Sequence, residues 1–342
     1  MKLGVFDHMD RSLAPLDRFF EERLTLVEAY DRAGLYCYHV AEHHATPLGV
    51  APSPGVWLAA VAQRTRNLRF GPLVYLLPLY HPLKLLEEIC MLDQMSGGRF
   101  QLGVGRGISP IELSYYGLDP EQTPAMYAEA LEVLLRGMAG PTLTFEGTYY
   151  RYRDVPMELA PFQTPHPPLW YGIARPEAIP WAARNRVNVV GNLPGPAMRG
   201  LTDAYRAEWE ALGNDPAEMP LMGVGRHVVV AETEKEALAI ARRGYVKWRE
   251  SFLKLWLAHG KMPSPHAIFP ERYEDAEAQG RAVAGTPDKV RDVLMRSIDE
   301  GGLNYVLCRF AFGDITGDEA LHSISLFARH VMPDLTAYGD KA

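Results

Sequence analysis

Tyr36-Cys37-Tyr38-His39-Val40-Ala41-Glu42-His43-His44 decides how this chain is read. The first five residues form a largely apolar run suited to a buried strand. The last three crowd ionisable groups at the downstream end of that strand. Holding such groups together is costly unless they meet one another or a ligand. A second run of the same kind is Phe100-Gln101-Leu102 followed by Gly103-Val104-Gly105-Arg106-Gly107. Polar clusters at the downstream ends of two strands point to an enzyme's active site on one face of a parallel sheet.

Working outward, strand-like and helix-like stretches alternate. Leu3–Phe6 reads as a first strand, and Asp17–Ala33 as a helix spaced through Phe20, Leu24, Val27 and Tyr30 and closed by Gly34. Ser53–Thr65 reads as a helix with Pro54 in its first turn. Leu68–Leu77 is an apolar run broken by Gly71-Pro72, and Pro82–Met95 a helix with the stripe Leu85, Leu86, Ile89 and Leu92. Arg99–Val104 is the next strand and Met126–Met138 the next helix. Thr142–Tyr152 reads as an inserted surface hairpin. Pro168–Ile173, Val187–Asn192, Leu221–Ala231 and Asn304–Phe310 supply four more strands, each followed by a helical segment. Eight strand-plus-helix units are the count that closes a (β/α)8 TIM barrel, and the chain is read as one such domain. A doubly wound open sheet competes, but it predicts fewer strands and a glycine-rich phosphate motif in the first turn, which is absent. The stretch from about Tyr245 to Thr286 is too long for an ordinary connection. With Trp248, Phe252, Trp256, His259, His266, Phe269 and Tyr273 it reads either as a lid over the site or as an excursion packing its aromatics on the barrel.

Composition bounds the function. With 342 residues, 47% of them hydrophobic, the chain can bury a large core. Its net charge of −7 argues against nucleic acid or an anionic membrane as a partner. Three cysteines, Cys37, Cys90 and Cys308, read as buried free thiols of a reducing compartment, without disulfide or metal-ligand spacing. At the start, Asp7, His8, Asp10 and Arg11 interrupt the apolar run, unlike a signal sequence, so a cytoplasmic location is expected.

Adjacent residues of an extended segment point to opposite sides, so at most one of His43 and His44 faces a site directly. An imidazole beside a carboxylate such as Glu42 can act as acid or base. The bland reading is a solvent-facing histidine beside a packed one. A metal site is weaker, because no second ligand cluster accompanies Glu-His-His. In Gly103-Val104-Gly105-Arg106-Gly107, Ile108 stands where a dinucleotide fingerprint needs glycine. The glycines instead let backbone approach an anion, and Arg106 offers a fork for phosphate oxygens. A tight turn with a surface arginine is the alternative. His81 reads as a cap for the helix beginning at Pro82.

Together, Ala41-Glu42-His43-His44, Leu77-Pro78-Leu79-Tyr80-His81-Pro82, Leu92-Asp93-Gln94-Met95-Ser96-Gly97-Gly98-Arg99 and Gly103-Val104-Gly105-Arg106-Gly107 resemble the bacterial luciferase-like flavin monooxygenases in order and spacing. The likeness is dense to about residue 117 and returns at Trp181-Ala182-Ala183 and Gly285-Thr286-Pro287. It implies a barrel binding reduced FMN at the strands' C-terminal ends. On it, His43 matches the catalytic histidine beside the flavin, and Arg106 the arginine gripping the FMN phosphate. Leu73 and Val74 match a strand-three bulge, often with a cis peptide, beneath the isoalloxazine. Ala174 and Arg175 match the turn that completes the phosphate site, although Pro176 and the lack of a Ser or Thr depart from the pattern. Glu112 stands near an acidic position of the luciferases. The family's cysteine beside the flavin is Gly105 here.

The resemblance further implies reduced FMN supplied by a separate flavin reductase, reaction with O2 through a flavin C4a-hydroperoxide, and oxygenation of a small, largely apolar organic substrate. Relatives usually pair through the helices matching Ser53–Thr65 and Pro82–Met95, so a homodimer is expected. A deazaflavin-dependent hydride-transfer enzyme on the same barrel and a non-catalytic flavin-binding subunit are the rivals.

Overall fold

The computed structural model describes residues 1–264 and 268–339. Its strands are β1 (Lys2–Asp7), β2 (Cys37–Val40), β3 (Arg69–Pro72), β4 (Tyr75–Leu76), β5 (Leu102–Gly105), β6 (Thr142–Glu146), β7 (Arg151–Pro156), β8 (Leu169–Gly172), β9 (Asn188–Gly191), β10 (Met222–Val230), β11 (Ala282–Gly285) and β12 (Tyr305–Arg309). The order β3-β2-β1-β12-β10-β9-β8-β5-β4 is parallel throughout. β3 and β4 stand at the two ends of that path but are neighbours in the chain, and a bridge from Phe70 to Phe100 ties β3 to the approach of β5. They act as one interrupted stave, and the sheet curls into a nearly closed barrel.

Helices cover the outside for ordinary reasons. Leu16–Ala33 stops at Gly34, whose φ of 78° is a left-handed cap that glycine adopts without steric cost. Pro54 and Pro82 open the helices Pro54–Arg64 and Pro82–Ser96. Inside the barrel, Trp170, Tyr305, Leu307 and Val190 pack with Phe6, Tyr36 and Leu73. Two hydrogen bonds are buried with them: Trp170 Nε1 donates to Gln101 Oε1 at 2.9 Å, and His39 Nε2 meets the Tyr305 hydroxyl at 3.1 Å. Burial pulls His39 down to about 3, so this imidazole stays neutral. The interior is a packed floor, and chemistry is left to the rim.

Several sequence expectations need correction. The helix expected at Met126–Met138 spans Thr123–Ala139. The hairpin expected to end at Tyr152 runs on to Pro156, which pairs with Thr142 at the start of the first strand, with a register shift between Leu143 and Phe145. The segment from Tyr245 to Thr286 is mostly regular structure: the end of a helix spanning Glu234–Ala258, a helix at Tyr273–Ala278, and β11, which extends the sheet along the last part of β10. Tyr245, Trp248 and Phe252 recur at helical spacing, and Tyr245, Trp248 and Phe269 pack around the buried His227 of β10. Tyr245 and Trp248 of this helix therefore pack on the barrel, while Trp256 packs with Ile111. His266 lies outside the described residues. His81 occupies the cap position before Pro82, but its side chain makes no capping hydrogen bond and instead meets the Tyr152 ring edge-on at 5.9 Å. Cys37, Cys90 and Cys308 are buried free thiols. No helix among the described residues is long and apolar enough to cross a membrane.

Candidate active site

Because the staves are parallel, their C-terminal ends open on one rim. His43 leaves it after β2, Leu73 and Val74 lie between β3 and β4, Arg106 follows β5, and Ala174 and Arg175 follow β8. These are consecutive staves around the barrel. β2 and β5 are two strand spacings apart, roughly 10 Å. All the residues singled out from the sequence thus share one arc of one rim.

The register of β2 against β1 continues as the Ala41 N–H donates to the Asp7 carbonyl at 2.9 Å. Beyond it the two histidines diverge. His44 is anchored at both ring nitrogens, Nε2 to Glu42 Oε1 at 2.9 Å and Nδ1 to the Tyr116 hydroxyl at 2.7 Å. Glu42 also accepts the Leu76 N–H at 3.0 Å, and burial raises its carboxyl above the usual range. Glu42 thus serves His44, not the neighbouring His43.

The carboxylate for His43 comes from Glu112. His43 Nδ1 lies 3.2 Å from Glu112 Oε1, while Glu112 Oε2 accepts the His44 N–H at 2.7 Å. Ser109 positions Glu112 by capping its short helix, Pro110–Tyr115, with a side chain that accepts the Glu112 N–H. Burial alone would raise the Glu112 carboxyl, but His43 and the His44 N–H together hold it below the ordinary range. An ionised carboxylate only accepts, so the neutral form of His43 carries its proton on Nδ1 and leaves Nε2 as the acceptor.

The Leu73–Val74 peptide bond is cis. It lies where β3 gives way to β4, beside Gly105, at which an added Cβ would come within 2.4 Å of Val74 Cγ2. Glycine at 105 therefore makes room for Val74. Gly172, at the end of β8, faces open space.

Arg106 is exposed, and its guanidinium makes no ion pair among the described residues. Near it, the Tyr127 hydroxyl is buried without a hydrogen-bond partner among the described residues, and burial pushes its pKa up while Arg106 pulls it down. Ala174 and Arg175 are exposed on the neighbouring stave.

The sequence reading missed other groups of this rim. His8 follows β1, its ring stacked 6.0 Å from that of His43 and its Nδ1 accepting the Trp248 Nε1–H at 3.3 Å. Arg309, at the end of β12, lies over the Phe6 ring at 4.8 Å and donates to Asn192 Oδ1 at 2.8 Å. Burial pulls it down to about 9 and leaves Nε and Nη1 unpartnered. An apolar wall of Ile111, Leu255 and Trp256 stands beside Glu112.

A parallel barrel with a carboxylate-held imidazole and, among the described residues, an unpaired guanidinium on one arc of its C-terminal rim has the architecture of a (β/α) barrel enzyme. The chain belongs to the luciferase-like monooxygenase family, whose model matches residues 1–304. It is an enzyme of that flavin-dependent class. Protein y4wF of Sinorhizobium fredii is 42% identical over 333 residues, covering 97% of this chain and 96% of its own length. Monooxygenase RslO1 from Streptomyces bottropensis has a similar structure, with a TM-score of 0.88 at 26% identity, covering 98% of this chain and all of RslO1. The oxygenating constituent of 3,6-diketocamphane monooxygenase from Pseudomonas putida, solved in complex with FMN, shares the fold at a TM-score of 0.80 and 21% identity, covering 97% of this chain and 98% of its own.

Proposed function

We propose that this enzyme binds reduced FMN along the arc from Arg106 to His43 and uses O2 to oxygenate a small, largely apolar organic substrate. The observation that carries the reading is the pair of unsatisfied groups at the phosphate end. Arg106 lacks a carboxylate, and the buried Tyr127 hydroxyl beside it lacks a partner. A buried hydroxyl is rarely left so without reason, an exposed guanidinium is free to take an anion, and a phosphate or ribityl oxygen would meet both. Gly172, at the end of β8, leaves open space on the next stave. The residues present therefore fit FMN: Arg106, Tyr127 and the turn at Ala174 and Arg175 would hold the tail, and Leu73 and Val74 would support the ring.

Bound reduced FMN would supply the electrons that activate O2. The chain's own residues act around that chemistry. His43 accepts or returns a proton at Nε2, and Glu112 fixes its tautomer and steadies the charged form. Ile111, Leu255, Trp256 and Trp248 keep water away and favour an apolar substrate. A separate flavin reductase would deliver the reduced cofactor. A homodimer formed through Pro54–Arg64 and Pro82–Ser96 fits the exposure of Val56, Met91 and Met95 on those helices.

The test is anaerobic titration with reduced FMN and, separately, with reduced deazaflavin, followed by admission of O2. The reading expects tight binding of FMN, and prompt reoxidation whose course changes in His43→Ala. Binding of the deazaflavin alone, with no reaction with oxygen, would replace it with hydride transfer.

A further inference from the structure

The acid–base site contains a second imidazole. His8 leaves the rim on the stave next to that of His43, and the two rings lie nearly parallel, 27° apart in plane. Two contacts fix what each can do. An indole nitrogen only donates, so the bond from Trp248 Nε1 makes His8 Nδ1 an acceptor. A neutral imidazole has one N–H, and that of His8 is then on Nε2. His43 is the reverse case: its Nδ1 faces an ionised Glu112, which leaves Nε2 the acceptor.

We propose that His8 is a further catalytic residue, a fixed Nε2–H donor that works with the Nε2 acceptor of His43 on one reacting oxygen. This rests on the reading of the rim as the active site. A proton leaving an O–H group passes to His43 Nε2, and the oxygen left negative is held by His8 Nε2–H. The return step runs in the opposite direction, so no other reactant is needed.

The surroundings keep His8 in that state. Burial lowers its pKa well below the ordinary histidine value, and Arg309, His43, His227 and Arg23 lower it further. Arg309 lies over the Phe6 ring, which meets that of His8 edge-on at 4.8 Å. A protonated His8 would also turn an N–H against the Trp248 N–H. The helix carrying Trp248 is tied over the site by Thr46 Oγ1 donating to the Ser251 carbonyl at 3.4 Å and by Tyr115 meeting His259 at 2.8 Å. The donor is therefore held by both a stave and the roof.

Nitrogen NMR of the flavin-free protein, labelled at histidine, tests this directly, with His8→Gln to identify the resonances. Expected is an unprotonated Nδ1 and a protonated Nε2 at His8 between about pH 6 and 8, a preference that relaxes in Trp248→Phe. A cationic His8, or one protonated at Nδ1, overturns the proposal. In a second arm, reduced FMN bound to each variant is mixed with O2 and the return of oxidised-flavin absorbance is followed. Loss of the donor in His8→Leu is expected to slow it by about tenfold or more. His8→Gln, whose amide can replace the Nε2–H, should stay within about threefold of wild type. Equal behaviour of His8→Leu and wild type also overturns the proposal. Failure to bind FMN would instead count against the proposed function, because the NMR result does not depend on flavin.

Discussion

Glu112 Oε1 lies 3.2 Å from His43 Nδ1 although 69 positions separate the two residues. The contact joins the stave ends of β2 and β5 and makes one nitrogen of His43 a donor and the other an acceptor. Replacing the carboxylate with an amide keeps the shape and removes that bias. Glu112→Gln is expected to slow proton-dependent steps by about 10²-fold with little loss of FMN affinity. Equal losses in rate and affinity would show that Glu112 only braces the fold.

In the proposed function, Arg106 governs affinity where His43 governs rate. A charge-assisted hydrogen bond contributes about 1.5–3 kcal/mol. Arg106→Ala should therefore weaken FMN binding by roughly 10–100-fold, and riboflavin, which has no phosphate, should bind the variant and wild type alike. Equilibrium titration with both flavins reads the difference. If riboflavin suffers the same loss, Arg106 does not hold the tail.

Asp10 is a stability liability above neutral pH. It is buried beside Arg23, which reaches Asp7 at 3.3 Å and Asp10 at 3.8 Å, and it accepts the Gly313 N–H. Burial raises its carboxyl from 3.8 to about 7. A folded-state value above the unfolded one contributes stability below about pH 4 that is lost as pH rises through about 7. Asp10→Asn removes that dependence. Its melting temperature relative to wild type should improve between about pH 5 and 8, and a constant difference would contradict the assignment.

The helices Pro54–Arg64 and Pro82–Ser96 carry Val56, 75% exposed, and Met91, 51% exposed. Sedimentation at micromolar concentration is expected to show a dimer, and Val56→Glu with Met91→Glu a monomer. A monomeric wild type ends that proposal.

Much of this site is legible along the chain because of one rule: a short apolar run followed at once by ionisable residues marks a stave end. Tyr36–Val40 before His43 and Phe100–Val104 before Arg106 both obey it. His8 obeys it too, after Leu3–Phe6, but among Asp7, Asp10 and Arg11 it reads as a mere interruption of the strand. Glu112 as the partner of His43 follows from barrel closure, which no local spacing encodes. β11 escapes because Ala282-Val283-Ala284-Gly285 is short, small and without alternation. Trp248 is conspicuous in the sequence, but only the fold places it on His8.

The central claim is tested most directly by a crystal structure of the protein with FMN. The account expects the phosphate oxygens within hydrogen-bonding reach of the Arg106 guanidinium, the ring against Leu73 and Val74, and its reactive edge facing His43 Nε2. A flavin bound elsewhere, or touching only one of Arg106 and His43, would contradict it.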